Sequence, residues 1–122
     1  MAYDSNNVFA KILRRELPCD KVYEDDYVLA FRDVNPQAPV HVLAIPKGAY
    51  ASMDDFTEKA TDTEIAALMR AVGRIARDLD LVGNGYRILA NHGRDGHQEV
   101  PHAHIHIFGG KDLGRMIKPP DK

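Results

Sequence analysis

Seven residues near the end of the chain, His102-Ala103-His104-Ile105-His106-Ile107-Phe108, restrict its folding more than any other stretch. As a β-strand the period of two sends the three histidines to one face and Ala103, Ile105 and Ile107 to the other. One face then serves a core. The other carries imidazoles ~6.6 to 7 Å apart along the strand, too far for all three rings to touch, yet close enough to surround a group the size of a phosphate. Five of the six histidines (His92, His97, His102, His104, His106) lie within residues 92–106, where even spreading would place about 0.7.

Three readings of this strand are open from the residues alone. The histidines are surface or satisfied core side chains; or they are zinc ligands, since imidazole is the usual zinc donor and His-x-His on a strand is a ligand pattern; or they perform nucleophilic or acid-base catalysis on a phosphoryl or acyl centre. Strict alternation with apolar residues between the rings weighs against the first. A zinc site wants further ligands, and a long helix elsewhere speaks against the all-β barrels that commonly carry such a pair.

The rest of the chain supplies a frame for that strand. Val8, Phe9, Ile12 and Leu13 make a short amphipathic helix over 8–15, capped by Ser5, Asn6 or Asn7 and stopped by Pro18. Val22 to Glu24 and Tyr27 to Arg32 flank an Asp25-Asp26 turn and read as a hairpin. Two prolines make Asp33 to Pro39 a rigid loop, followed by a strand over Val40 to Ile45. The clearest helix spans about Asp62 to Leu79, with Ile65, Leu68, Met69, Val72, Ile75, Ala76 and Leu79 as its apolar stripe and Thr61 with Glu64 as a capping box. Gly73 within it suggests close packing. Tyr86 to Asn91 is the next strand, the loop 92–99 follows, and Lys118 to Lys122 reads as a loose tail. The order α-β-β-β-α-β-β predicts a single α+β domain with a mostly antiparallel sheet and helices packed on one side.

Charge narrows the function classes. With 16 basic and 18 acidic side chains in 122 residues and a net charge of -2, a general grip on nucleic-acid backbones is not expected; binding of one nucleotide is compatible. Apolar runs stop at five residues, far below the ~18 of a membrane span, and residues 1–7 are polar, without a signal-peptide pattern. Cys19 is the only cysteine, which fits a reducing cytosol and an inert structural thiol. A cytoplasmic protein with no membrane contact is expected.

The alternating strand matches the His-φ-His-φ-His-φ-φ signature of the histidine triad (HIT) superfamily, φ being apolar. Val8-Phe9-Ala10-Lys11-Ile12, Asp33-Val34-Asn35-Pro36-Gln37-Ala38-Pro39 with His41, Ile45-Pro46-Lys47, Gly85-Tyr86-Arg87, Gly96-His97-Gln98-Glu99-Val100 and Gly109-Gly110 resemble its Hint branch. The resemblance spans nearly all of 8–110. It implies a HIT-like fold with a five-stranded sheet and two helices per subunit, extended to ten strands in a homodimer. It also implies a hydrolase of purine nucleoside 5′-phosphoramidates or aminoacyl and lysyl adenylates, with AMP or GMP as the nucleotide product or ligand and no required cofactor.

By the same resemblance His104 is the nucleophile, attacking the α-phosphorus to give a nucleotidyl-histidine intermediate. His106 stabilises phosphate oxygens, and His102 and His41 support the strand and orient the His104 ring. Asp33 matches the ribose ligand. Asn91 sits beside phosphate and ribose, Gln98, Glu99 and the main chain of His97 line the phosphate loop, and Val8, Phe9, Ile12, Phe31 and Val34 match the slot for the base. His92 has no counterpart role, and Lys11, Arg14 and Arg15 read as a solvated helix face.

Three positions depart from the common pattern. His97 stands where many members have glycine and carries strain if that position needs positive φ; Glu99 stands where many have serine or threonine; Pro101 replaces an aromatic. Leaving-group preference is the property they affect. Other readings are a diadenosine polyphosphate hydrolase or nucleotidyl transferase of the same superfamily, and a non-catalytic nucleotide-binding or scaffold module. A neutral histidine nucleophile predicts activity that falls below about pH 6.

Overall fold

A computed structural model describes residues 2–117; the expected tail over 118–122 lies outside the described residues. Eight elements follow in order: α1 (Val8–Leu13), β1 (Lys21–Glu24), β2 (Val28–Arg32), β3 (Val40–Pro46), α2 (Met53–Lys59), α3 (Asp62–Asp78), β4 (Tyr86–Leu89) and β5 (Ile105–Gly109). The strands form one sheet in the order β1-β2-β3-β5-β4, antiparallel at every pairing. The last strand therefore inserts between β3 and β4, which buries the histidine strand in the sheet interior.

The register explains how both faces are used. Val42 pairs with Ile107 and Ala44 with Ile105, and these join Val28, Ala30 and Ala103 in a core covered by Leu68, Ala71, Val72, Ile75 and Ala76 of α3. One position along, Leu43 pairs with His106 and His41 with Phe108. On that second face Leu29, Phe31, Leu43 and Ile45 pack against Phe9 of α1. The expected division of Ala103, Ile105 and Ile107 from the alternate residues is present.

Capping chemistry sets the helix ends. Thr61 Oγ1 accepts the Glu64 N–H at 3.1 Å while Glu64 Oε1 accepts the Thr61 N–H at 3.0 Å, the reciprocal arrangement expected for the start of α3. Asn7 is the N-cap of α1, its Oδ1 accepting the Ala10 N–H at 2.9 Å.

Several boundaries differ from the sequence reading. A third helix, α2, stands where two helices were expected; Ser52 caps it by accepting from the Asp55 N–H at 3.2 Å. Phe56 is its one buried residue, so no apolar stripe marks it. Helix α1 ends at Leu13 because Arg15 takes φ 64°. Helices also lie on both faces of the sheet rather than on one, α1 opposite α3. At Gly73 an added Cβ would meet only the Arg77 guanidinium, at 3.3 Å, so no close helix packing accounts for it. Strand β5 begins at Ile105, three residues later than expected, which leaves His102 and His104 on the segment leading into the ladder.

Candidate active site

On the α1 face the helix covers only part of the sheet, and a cleft of about 450 Å³ opens beside it. Val8, Phe9, Ile12, Phe31 and Val34 line its apolar side; Asp33, Asn91, His97, Glu99, His104 and His106 line the rest. Five segments distant in sequence meet here. Phe9 closes the floor, its ring edge-on to Phe31 at 5.5 Å and to His104 at 5.1 Å.

The hydrogen-bond network assigns the tautomers. His104 Nδ1 lies 2.6 Å from the main-chain oxygen of His102. A carbonyl only accepts, so Nδ1 carries the proton and the neutral ring keeps a lone pair on Nε2. On the neighbouring strand the Gln37 N–H donates to His41 Nδ1 at 3.2 Å. The His41 proton therefore sits on Nε2, which donates to His106 Nδ1 at 2.9 Å, with Asp33 Oδ2 3.5 Å away. His106 must then carry its proton on Nε2. The two adjacent rings, with centroids 5.0 Å apart, present a lone pair on one side and an N–H donor on the other.

Burial keeps these rings neutral. Desolvation pushes His41, His102 and His104 below the ordinary histidine value. For His106 desolvation and the neighbouring imidazoles of His104 and His41 push the value down to about 4, against the opposing pull of Asp33. At neutral pH the cleft holds imidazole rather than imidazolium.

His102 is placed differently from the other two. Fully buried, its ring faces Pro46 and Tyr3 and is not part of the cleft wall. The three rings do not jointly surround one group: the pair that faces the cleft is His104 and His106, and His41 supports His106 from behind. Gln98 also turns away from the cleft, its Nε2 donating to Ala51 O at 2.8 Å and Val100 O at 3.0 Å. It braces the loop against the α2 approach. Asp33 has two tasks: Oδ1 accepts the Asn35 N–H at 2.8 Å, capping the Pro36 turn, while Oδ2 remains near His41.

The loop 92–100 is tightly wound. An added Cβ at Gly96 would meet the His92 main-chain oxygen at 2.6 Å, so only glycine fits there. His97 takes φ 58°, the left-handed conformation whose strain the sequence anticipated conditionally, and its ring stays exposed at the cleft. His92 is exposed and away from the cleft wall.

Other lining residues were not foreseen. Phe108 stacks against His106 with centroids 5.6 Å apart; it is the next same-face residue after His106, and alternation alone could have found it. Leu43 and Leu89 line the cleft as the cross-strand partners of His106, a register that no local pattern announces. Cys19 is exposed at the cleft rim with its pKa raised, chiefly by desolvation; it is an unactivated thiol in a position that is not a core position. Asp33, His41 and His106 offer ligand atoms within 4.8 Å of one another and so could hold a metal ion. Such an ion would engage the same atoms that set the His106 tautomer.

Known proteins carry the same arrangement of elements. The HIT domain family model matches residues 14–113. A 13.2 kDa HIT-like protein of Azospirillum brasilense is 62% identical over 115 residues, covering 94% of each chain. The purine nucleoside phosphoramidase of Escherichia coli K12 is 41% identical over 110 residues, covering 90% of this chain and 92% of that one. A HIT family hydrolase from Clostridium thermocellum superposes with a TM-score of 0.83 at 39% identity, over 94% of this chain and 99% of that one. Antiparallel five-stranded sheet, alternating histidine strand and family match agree, and the chain belongs to the HIT domain family.

Proposed function

We propose that this protein hydrolyses purine nucleoside 5′-phosphoramidates and related aminoacyl adenylates. The observation that carries the reading is the pairing of His104, held by the His102 carbonyl with Nε2 unprotonated, with His106, whose Nε2–H is set by His41. A nucleophile and a donor for phosphate oxygen stand side by side at the head of an apolar cleft. The similarity to the E. coli phosphoramidase supports the substrate class.

The reaction has two displacements. His104 Nε2 attacks the α-phosphorus, forming a phosphorus–nitrogen bond as the bond to the leaving group breaks; an amine departs with a proton taken from solvent, and the carboxylate of an aminoacyl adenylate departs as the anion. Water then attacks the same phosphorus, breaking the bond to His104 and releasing the nucleoside monophosphate. In both steps the His106 N–H donates to a non-bridging oxygen where charge grows, a preorganised contact that costs no reorganisation during the reaction. Val8, Phe9, Ile12, Phe31 and Val34 hold the base, and Asp33 Oδ2 the ribose hydroxyls; Asn91, His97 and Glu99 lie along the phosphate and leaving group.

The reading also includes a cytoplasmic homodimer and no metal requirement. Strand β4 is a sheet edge whose Tyr86, Ile88 and Leu89 remain exposed, which favours strand pairing with a second copy; sedimentation at the mass of a monomer at micromolar concentration would contradict it. Trapping tests the chemistry. Brief exposure to adenosine phosphoramidate followed by mass spectrometry should find an adenylyl group on His104, and an adduct elsewhere, or none during active turnover, would refute the assignment. A chelator should leave the rate unchanged, whereas added zinc, by engaging His41 and His106, should inhibit.

A further inference from the structure

His102 is wholly buried, and both of its ring nitrogens are engaged. Nε2 lies 2.8 Å from the Pro46 carbonyl oxygen, so it carries the proton. Nδ1 is then a lone pair, and the Tyr3 hydroxyl donates to it at 2.5 Å. Tyr3 in turn accepts from Asn7 Nδ2 at 2.9 Å. Through its other amide atom Asn7 caps α1, the helix that brings Phe9 against His104.

The consequence concerns the atom that orients the nucleophile. His104 Nδ1–H is held by the main-chain oxygen of His102, and His102 lies outside the ladder of β5, which begins at Ile105. Its backbone has one local bond, His102 N–H to Val100 O at 2.8 Å. The next amide, Ala103 N–H, donates to Tyr50 O at 2.8 Å, and the ring adds ties to the end of β3 through Pro46 and to the residues preceding α1 through Tyr3. Without the hydroxyl, the buried Nδ1 lone pair has no donor, and the ring is held from one side only, by Nε2–H to the Pro46 oxygen.

We propose that Tyr3 is a positioning residue for catalysis: its hydroxyl, held by Asn7, locks the His102 ring and thereby fixes the carbonyl that aims His104. The proposal rests on His104 being the nucleophile. It assigns a function to a residue that touches neither the cleft nor the reacting atoms.

Tyr3→Phe keeps the ring, which meets His102 edge-on at 5.6 Å, and removes only the hydroxyl. Its kcat should fall roughly three- to tenfold, with KM changed less than about twofold. Nitrogen-15 spectra of the imidazoles should show His102 as the Nε2–H tautomer in both proteins, with its Nδ1 resonance shifted in Tyr3→Phe toward that of a lone pair without a donor. Asn7→Asp keeps an oxygen for the Ala10 N–H but makes the residue compete for the Tyr3 proton; kcat should fall in the same direction. Ile75→Val, in the core between α3 and the sheet and outside this chain of contacts, controls for stability alone and should leave kcat unchanged.

Wild-type kcat in both Tyr3→Phe and Asn7→Asp would overturn the proposal, as would a loss in Ile75→Val matching that of Tyr3→Phe at equal melting temperature. An unchanged His102 Nδ1 resonance in Tyr3→Phe would also overturn it. The nitrogen-15 readout needs no turnover, so it separates failure of this tie from failure of the nucleophile assignment, which full activity in His104→Ala would reveal.

Discussion

The two faces of the sheet are built from the same strands and the same period of two, yet one is sealed and the other is open. The sealed face lies under α3, a helix of 17 residues whose stripe of Leu68, Val72 and Ile75 meets Val42, Ala44, Ile105 and Ile107. The open face lies under α1, a helix of 6 residues. So short a helix covers Leu29, Phe31 and Ile45 through Phe9 and leaves the rest of the sheet uncovered. The cleft begins where that cover ends, and there the inward residues change from aliphatic to His41, His106 and Phe108. A site can thus be made by shortening one helix over an otherwise regular sheet, with no change to the sheet itself.

If the division is real, substitutions on the two faces should separate chemistry from stability. The largest effect belongs to the open face: His104→Ala should lower kcat by about 10³-fold or more, because no other group supplies the covalent path. Nucleotide binding should persist, measured by calorimetry with AMP. The same assay on Phe56→Ala, beneath the sealed face, should show kcat within about twofold while chemical denaturation reports a loss of about 3 to 5 kcal/mol, the transfer and cavity cost of a buried aromatic. Equal damage to kcat in Phe56→Ala would dissolve the comparison.

Acid should act on the open face first. His41, His104 and His106 have lower pKa values folded than unfolded, so the unfolded chain binds more protons as pH falls below about 6.5. Their contribution to stability is complete above that value and is lost as pH falls toward the His106 value of about 4. The acid limb of kcat/KM should likewise lie below 6.5, because burial pushes His104 down and attack needs the neutral ring; a limb at or above 7 would sink the mechanism. The smallest expected effect is at the loop. His97→Gly relieves a left-handed residue and should raise the unfolding free energy by about 1 kcal/mol. Comparing ammonia with bulkier amines as leaving groups in that variant tests whether the exposed ring was retained for selectivity.

Local chemistry carried much of this into the sequence. The assignment of His104 and His106 to one face and Ile105 and Ile107 to the other needs only the pleat of a strand, and the Thr61 and Glu64 capping box needs four consecutive residues. The family resemblance added Asp33, Asn91, Glu99 and the base slot, and the structure brings these to one cleft. What escaped was weakly periodic or distant. Helix α2 buries a single phenylalanine, and its start signal, Ser52 followed by Asp55, stands alone without a stripe. Gln98 reads as a phosphate-loop ligand until Ala51 and Val100 are seen to hold its amide. Tyr3 and His102 are 99 residues apart, and nothing local to either announces the other.

By itself the sequence determined which residue types recur at period two, where helices start, and that one segment concentrates imidazole; these depend on neighbours a few residues away. Tertiary structure decided which imidazoles meet solvent and which nitrogen of each bears the proton. A ring's tautomer is set by the donor or acceptor opposite it, and here those are the His102 oxygen, the Gln37 amide, the Pro46 oxygen and the Tyr3 hydroxyl, the last two brought into place only by tertiary folding.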